Sequence, residues 1–125
     1  MKQSVSYETK LLHGWEDVFK KGQLTLWIML ALKDGPKHTA EIKVFINQST
    51  NGLLSADDQS MYRALRRYVS ADLVSFAMKP SKSGPDLKVY SLTDVGLRVL
   101  DNFVKRNITS SLLKPNIIRL LEGAK

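Results

Sequence analysis

Residues 57–72, with the sequence DDQSMYRALRRYVSAD, have two contrasting sides when they are placed on a helix at about 100° per residue. One side is apolar and carries Met61, Leu65, Tyr68 and Val69. The other side carries polar and basic side chains, namely Gln59, Ser60, Arg63 and Arg67, with Arg66 at its flank. The pattern predicts a helix that packs into a core with one face and presents arginines to an anion with the other.

The start of this helix is marked by Ser55, with Asp58 three positions later, an arrangement close to a capping box. Asp57 and Asp58 also suit the positive end of a helix dipole. Two carboxylates would repel phosphates if they faced them, and ordinary surface helices also carry arginines. The rest of the chain must distinguish these interpretations.

The composition predicts a single small globular domain. The chain has 125 residues, 43% of them hydrophobic, which suits one packed domain rather than disorder. It has no cysteine, so disulfides and thiolate metal sites are excluded. No apolar run approaches the roughly 20 residues of a membrane span, and residues 1–20 carry charges throughout. We expect a soluble, cytoplasmic protein with no membrane contact and no cofactor.

The charge balance favours a polyanionic partner. The formal net charge is +7, from 19 Lys and Arg against 12 Asp and Glu. Residues 63–90 hold six basic side chains and two acidic ones, a local balance of +4. Because DNA releases condensed counterions when its phosphates are neutralised, such a cluster favours DNA binding.

Three helical patterns precede residues 57–72. Residues 7–20 predict an amphipathic helix, and residues 24–32 predict a helix that is apolar nearly all round and therefore buried on more than one side. The Asp-Gly-Pro sequence at residues 34–36 ends that helix. Residues 38–48 then predict a short helix whose inward side chains are Ile42, Phe45 and Ile46.

A β-hairpin and further helices follow. Residues 73–78 and 87–92 alternate as strands do, and the loop between them is rich in Pro, Ser, Gly and Lys. Thr93 is a candidate N-cap for a helix over residues 94–108. Pro115 then begins a short amphipathic tail helix.

Three short helices followed by a two-stranded hairpin are typical of a winged helix-turn-helix. The predicted fold class is mainly α with a small β-hairpin, in a single domain spanning residues 1–125. The winged helix-turn-helix occupies residues 22–92, and extra helices in residues 1–21 and 93–125 are expected to form a dimer interface. In such a fold the second helix of the turn motif lies in the major groove, and the hairpin reaches the flanking backbone or minor groove.

The residue types suit contact with DNA. Arginine binds guanine O6 and N7 with two hydrogen bonds, and Gln and Ser suit other base edges, while lysines in the hairpin suit phosphates. Tyr62 lies at the border of the apolar face, where it can either pack against the core or bond a phosphate. The candidate DNA-binding residues are Gln59, Ser60, Tyr62, Arg63, Arg66, Arg67, Lys79, Lys82 and Lys88.

In three segments the sequence resembles the PadR-type transcriptional regulators. Residues 34–42 (DGPKHTAEI), 59–67 (QSMYRALRR) and 88–96 (KVYSLTDVG) are similar to the signature segments of that family in order and spacing. The resemblance covers residues 22–104. It implies a homodimeric winged-helix repressor that binds inverted-repeat operators and is released by a small effector. The single main helix after the hairpin resembles the compact branch of the family.

The chain departs from the family pattern at three sites. The chain has Thr39-Ala40 where the family usually has Gly-Tyr, and Arg63 where it usually has Pro. It has Asp57-Asp58 where the family commonly has Ser-Pro. Arg63 would strengthen contact with DNA, and the two aspartates would weaken it unless they stabilise the helix itself.

The wide apolar stripes outside the central core predict a second copy of the chain as a partner. A two-fold interface would cover them and would match a palindromic operator. The candidate interface residues are Leu11, Leu12, Trp15, Leu97, Leu100, Phe103, Val104 and Ile108. By analogy with the family, a flat hydrophobic effector would bind at this interface, against Trp15, Trp27 and Phe103. Packing in the core or at the dimer interface competes with this role for Trp15 and Trp27 and suits them better.

Two other function classes compete with DNA binding. A winged helix also serves as a protein–protein interaction module, and Asp57 and Asp58 at the groove-facing helix start favour that alternative. An enzyme is not expected, because the chain has no paired His/carboxylate site, glycine-rich phosphate loop or nucleophile motif. His13 and His38 stand alone without partners at metal-ligand spacing, so no metal site is predicted.

Overall fold

The computed structural model describes the backbone of residues 2–123 and the side chains of residues 6–123. In chain order the described residues form α1 (Lys2–Lys20), α2 (Gln23–Asp34), α3 (Thr39–Ser49), α4 (Asp58–Ser70), β1 (Val74–Lys79), β2 (Leu87–Leu92), α5 (Asp94–Val104) and α6 (Pro115–Leu121). The predicted class, mainly helical with one antiparallel hairpin, is confirmed. No helix within this part of the chain is both long and apolar enough to cross a bilayer.

The core lies where α2, α3 and α4 pack together. The apolar face predicted for residues 57–72 is confirmed, since Met61 and Leu65 are fully buried and Tyr68 is 5% exposed. They share the core with buried side chains of α2, α3 and β1, namely Ile28, Ile42, Ile46 and Val74. Burying a side chain of this size contributes about 1.5–3 kcal/mol to folding, so this face of α4 is held away from solvent.

α2 is buried on more than one side, as its composition predicts. Its buried side chains are Ile28, Met29, Ala31 and Leu32. Its other apolar side chains pack partly against the same core and are Leu24, Leu26, Trp27 and Leu30. Thr25 adds a polar link to α4, because its hydroxyl oxygen lies 2.6 Å from the Tyr68 hydroxyl oxygen.

The start of α4 differs from the prediction, because Asp57 and not Ser55 caps it. Asp57 has extended backbone, and its carboxylate accepts the Ser60 N–H at 2.7 Å. The predicted capping pair of Ser55 and Asp58 is therefore wrong: Asp58 is the first residue inside the helix. The hydrogen bonds from Ser60 hold the pKa of Asp57 below its ordinary value of 3.8, and the nearby Arg63 lowers that pKa further.

A residue in the left-handed conformation ends α4. Asp72 has a φ of 61°, and its N–H donates to Val69 O at 3.1 Å while the Leu73 N–H donates to Tyr68 O at 2.9 Å. These are the two hydrogen bonds of a Schellman motif. The Asp72 carbonyl also accepts the Thr93 hydroxyl at 2.6 Å, so the end of α4 is tied to the start of α5.

The hairpin pairs β1 with β2 in an antiparallel register that runs from Val74↔Leu92 to Lys79↔Leu87. β1 begins one residue later than predicted, because Leu73 belongs to the turn that ends α4. A bridge absent from the sequence prediction also joins β2 to Lys37. The Lys37 N–H donates to Tyr90 O at 3.0 Å, and the Tyr90 N–H donates to Lys37 O at 2.8 Å. The hairpin is thereby attached to the connection between α2 and α3.

α5 begins as predicted but ends differently. The Thr93 hydroxyl accepts the Gly96 N–H at 2.9 Å and caps the helix. The prediction of a continuous α-helix to residue 108 is wrong, because Lys105–Thr109 form a wider π-helical turn. There Asn107 Nδ2 donates to Phe103 O at 3.0 Å, a side-chain bond that competes with regular helical bonding. The tail helix begins at Pro115 as predicted.

Gly96 allows α5 to approach the end of α4 closely. A Cβ atom at this position would overlap the Leu73 carbonyl oxygen and would lie 2.9 Å from the carbonyl carbon. Both are backbone atoms of the turn after α4, so they cannot move aside as a flexible side chain could. Gly96 is therefore required by the close packing of two elements.

Replacement of Gly96 by alanine should destabilise the protein. We expect Gly96→Ala to lower the free energy of unfolding by about 1–3 kcal/mol, as overpacking does, and to lower Tm by several degrees in thermal denaturation. Gly84→Ala is the matched control, because a Cβ in that loop would meet nothing within 4 Å. Equal Tm values for the two variants would contradict the close approach.

The charged cap at Asp57 should give α4 a pH-dependent stability. Because the folded-state pKa of Asp57 lies below 3.8, the stabilisation is fully present above that pH and is lost as pH falls through the folded-state pKa. Asp57→Asn should therefore have a lower Tm than the wild type at pH 7, and the difference should shrink below pH 3.8. Asp86→Asn, in the hairpin loop, controls for the loss of one carboxylate. A difference in Tm that stays constant down to acid pH would contradict the charged cap.

Candidate nucleic-acid interface

The solvent side of α4 carries three arginines on one surface. Arg63, Arg66 and Arg67 are exposed and line an open depression together with Ser70 and Ala71. Among the side chains of residues 6–123, none of the three arginines forms a salt bridge. Three such cations on one face suit a polyanion. The other predicted residues of this face lie in the first turn of α4, with Gln59 exposed and Ser60 half-buried.

The hairpin adds three lysines. Lys79 ends β1, Lys82 lies in the loop and Lys88 lies in β2, and all three are exposed. Lys88 Nζ lies 4.6 Å from the centroid of the Phe76 ring on the paired strand. This cation–π contact restrains the ammonium group on one side of the hairpin.

A cleft of about 400 Å³ lies between α4 and the hairpin. Its walls include Tyr62 of α4, Lys88 and Tyr90 of β2, and His38 and Thr39 at the start of α3. Tyr62 is 47% exposed, so its ring borders the cleft instead of joining the core. The helix and the hairpin therefore present polar side chains toward a common concave surface.

The environment of Tyr90 reflects this convergence. Burial raises the pKa of the Tyr90 hydroxyl, the neighbouring Tyr62 raises it further, and Arg66 opposes the shift. Tyr62 and Arg66 of α4 thus act electrostatically on a residue of β2. The sequence predicted the two elements separately, and the structure brings them together.

The negative charge of Asp58 is met by a lysine of α3. Lys43 Nζ lies 2.7 Å from Asp58 Oδ1. The hydrogen bond with Asp58 raises the pKa of Lys43 above its ordinary value of 10.5. Because Asp57 is bonded to the Ser60 N–H, both acids at the helix start have partners within the chain. Asp57 thus stabilises the helix start and Lys43 balances the charge of Asp58, so neither acid argues against DNA binding.

Two lysines near this surface are not predicted from the sequence. Lys43 meets an acid 15 positions later, and Lys37 Nζ donates to Ala31 O at 2.7 Å and to Asp34 Oδ2 at 2.9 Å. Helical periodicity carries no signal for such contacts. A lysine in one helix followed by two acids at the next helix start is a signal that could have identified Lys43.

His38 has a structural position at the start of α3. Its backbone N–H donates to Glu41 Oε1 at 3.0 Å, and its side chain lines the cleft between α4 and the hairpin. Within the described residues, no group of three or more His, Cys, Asp or Glu side chains is placed to hold a metal ion.

The predicted dimer residues lie on two exposed apolar surfaces, with one exception. Leu11, Leu12 and Trp15 are exposed on α1, and Trp15 is 74% exposed. On and after α5, the exposed or half-buried members of the set are Leu97, Phe103, Val104 and Ile108. Leu100 is 3% exposed and belongs to the core of its own chain, so it offers almost no surface to a second copy. The interface itself stays a prediction.

The three residues predicted to bind an effector are not gathered by one chain. Trp27 lines a hollow of about 290 Å³ together with Phe19 and Leu53. Phe103 lines a different hollow of about 130 Å³, which is mostly apolar, together with Met29. Trp15 lies on the exposed side of α1. A single pocket for all three would require a second copy, and it stays a prediction.

Comparison with known proteins places this arrangement in a family. Residues 28–102 match the Transcriptional regulator PadR-like family. Among solved structures, the chain is similar to a PadR family transcriptional regulator from Eggerthella lenta DSM 2243, with 22% identity, a TM-score of 0.67, and coverage of 94% of this chain and 97% of that one. It is similar to a PadR-like transcriptional regulator from Bacillus cereus strain ATCC 14579, with 26% identity, a TM-score of 0.63, and coverage of 78% and 93%.

A third similar structure is that of Bacillus subtilis PadR in complex with operator DNA. Its identity is 21%, its TM-score is 0.59, and the likeness covers 65% of this chain and 46% of that one. This chain therefore spans less than half the length of Bacillus subtilis PadR. No curated protein matches the chain in sequence.

The family match extends over more than half of the chain and contains α3, α4 and the whole hairpin. It also contains Arg63, Arg66, Arg67 and the close-packed Gly96. The chain therefore belongs to the PadR-like family, whose members are transcriptional regulators and not enzymes.

Proposed function

We propose that this chain is a sequence-specific DNA-binding regulator in which α4 enters the major groove and the hairpin contacts the flanking backbone. The observation that carries the proposal is the division of α4 into two faces. Its apolar side is held in the core, and its opposite side presents Arg63, Arg66 and Arg67 on one surface. A helix fixed in this way offers the same side chains to every DNA molecule, as sequence reading requires.

Within this proposal the candidate residues divide into two groups. Gln59, Ser60 and Arg63 lie in the first two turns of α4, the part of a recognition helix that meets base edges. Phosphate contacts position the protein without specifying sequence. We assign them to Tyr62, Arg66, Arg67, Lys79, Lys82 and Lys88.

The solved complex of Bacillus subtilis PadR with operator DNA supports the proposal, because that protein shares the fold. A repressor role in the cytoplasm is proposed by analogy with the family. The alternative function, a protein–protein interaction module, is favoured only by the two acids at the start of α4. Asp57 caps the helix and Asp58 pairs with Lys43, so neither acid requires a protein partner.

We further propose that the regulator is a homodimer on an inverted-repeat operator. α1 leaves large apolar side chains exposed, namely Tyr7, Leu11, Leu12, Trp15, Val18 and Phe19. α5 leaves Leu97, Val99 and Phe103 exposed. Extended apolar patches of this kind mark interaction sites. Packing of α1 from one copy against α5 of the other would cover both patches and relate the two α4 helices by a two-fold axis.

A small, flat hydrophobic effector is proposed to act near this interface. The hollow beside Phe103 is mostly apolar and is also lined by Leu73. Leu73 follows Asp72 in the turn that ends α4. A ligand in this hollow would therefore contact the segment that fixes the end of the recognition helix.

Base reading by Arg63 can be tested against phosphate contact by Lys82. Arg63→Ala should weaken binding to the preferred duplex by about 1–3 kcal/mol and relax base preference, since a bidentate arginine–guanine contact contributes that much discrimination. Lys82→Ala should weaken binding to all duplexes about equally and reduce the salt slope by about 1. The measurement is a gel-shift titration with duplexes that the wild type selects from random DNA.

Arg98→Ala removes an exposed arginine of α5 and is the matched control, with wild-type affinity expected. Unchanged affinity of Arg63→Ala would remove its recognition role. The wild type should also be titrated with mixed-sequence DNA at several salt concentrations. No binding at low salt, or binding that does not change with salt, would favour a protein–protein interaction module.

The proposed dimer can be tested with one charge on α1. Leu12→Glu should shift the protein from dimer to monomer in sedimentation velocity, because an ionised carboxylate is costly to bury in an apolar interface. Val44→Glu is the matched control, since Val44 of α3 and Leu12 are both 53% exposed. A dimer that survives Leu12→Glu would exclude this face of α1 from the interface.

A further inference from the structure

The ion pair between Lys43 and Asp58 lies at the N-terminus of α4. Lys43 comes from the middle of α3, and Asp58 is the first residue of α4. Their side chains are 38% and 68% exposed, and their charged atoms are 2.7 Å apart. The pair therefore joins the two helices of the turn motif at the end of α4 that would enter a DNA groove.

Among the described residues, Asp58 is the acid at this end that makes no side-chain hydrogen bond within its own helix. Asp57 gives its carboxylate to the Ser60 N–H as the helix cap. Asp58 Oδ1 bonds Lys43 and no other group among the described residues. Without Lys43, Asp58 would carry an uncompensated negative charge at the N-terminus of α4, the end that would enter the groove.

An uncompensated carboxylate at this place would oppose DNA binding. Phosphates and a carboxylate repel each other, and the repulsion falls off within a Debye length of about 8–10 Å in ordinary salt. Residues at the start of a recognition helix lie within that distance of the DNA backbone. A cation in contact with the carboxylate cancels most of its field at that range.

We propose that Lys43 is a positioning residue for DNA binding that acts through Asp58, by neutralising the carboxylate at the groove-entering end of α4. The inference rests on the proposed DNA-binding function and adds to it a residue outside the recognition helix. Lys43 also lies near Asp57 and Tyr62, both of which favour its charged form. It thus balances the acidic end of α4 as a whole.

Two other roles for Lys43 make different predictions. If Lys43 bound a phosphate directly, its loss would weaken binding whether or not Asp58 were charged. If the pair served as a mechanical tie between α3 and α4, loss of either partner would weaken binding by a similar amount. Neutralisation alone predicts that removal of Asp58 restores what removal of Lys43 costs.

The test is a double-mutant cycle with near-isosteric variants, which are Lys43→Gln, Asp58→Asn and the double variant. The amide introduced by Lys43→Gln would keep a hydrogen-bond donor beside Asp58, so this variant changes the charge more than the connection between the helices. Affinity is measured by fluorescence anisotropy at about 0.1 M salt, with a duplex that the wild type selects from random DNA. Thermal unfolding of each variant is measured in parallel. Because exposed ion pairs contribute little to stability, the variants should unfold at nearly the temperature of the wild type.

We expect Lys43→Gln to bind about tenfold more weakly, a change equivalent to about 1.4 kcal/mol. Asp58→Asn should bind as tightly as the wild type or a few-fold more tightly. The double variant should return to within about threefold of the wild type and recover its salt slope. Lys33→Gln is the control for loss of a lysine from an ion pair, because Lys33 and Asp101 form a similarly exposed pair at 2.9 Å between α2 and α5. Its affinity should not change.

Each contrary outcome overturns a defined part of this inference. A double variant as weak as Lys43→Gln would mean that Lys43 binds DNA itself. Asp58→Asn as weak as Lys43→Gln would mean that the pair is a tie between helices. Wild-type affinity in Lys43→Gln would remove any role of Lys43. Failure of the wild type to bind any duplex at low salt would overturn the proposed DNA-binding function, and with it the role of Lys43. That outcome is seen with the wild type alone, so it is distinct from the outcomes that compare variants.

Discussion

The burial of one side of α4 constrains the rest of the molecule. Met61 and Leu65 are fully buried among Ile28, Ile42 and Ile46, and a rotation of the helix would expose this apolar surface to water. The rotational setting of α4 is therefore decided by the core. The side of the helix that carries the arginines therefore faces a fixed direction, although the arginines themselves do not pack in the core.

The two ends of α4 are fixed by different means. At the N-terminus, Asp57 bonds a backbone N–H and Asp58 bonds a lysine of α3. At the C-terminus, the left-handed Asp72 turns the chain into β1 and its carbonyl accepts the Thr93 hydroxyl. Thr93 caps α5 in turn. The N-terminus of α4 is thus capped from within the helix and contacts α3 through an exposed ion pair, while its C-terminus is bonded to the start of α5.

The sequence predicts features that follow a periodic pattern within one helix or strand. It does not predict individual contacts between two elements. The 3.6-residue period gives the buried face of α4, and strand alternation gives the hairpin to within one residue. Lys43–Asp58, the Lys37–Tyr90 bridge and the contact of Gly96 with Leu73 each join separate parts of the chain, so no local pattern announces them. Leu100 shows the same limit, because a helical stripe cannot say whether a leucine meets its own core or a second copy. Helical periodicity predicts the arginines of the site, but it does not predict the pairing of Asp58 with Lys43.

The bridge between Lys37 and Tyr90 has a geometric consequence. It makes two backbone hydrogen bonds between the α2–α3 connection and β2, so the hairpin cannot swing independently of the helices beneath it. In the proposed complex, the distance between the groove contacts of α4 and the backbone contacts of the hairpin would be fixed within each protomer. Each protomer would therefore require one fixed length of operator half-site. Any tolerance for different spacings between half-sites would then have to come from the joint between the two protomers.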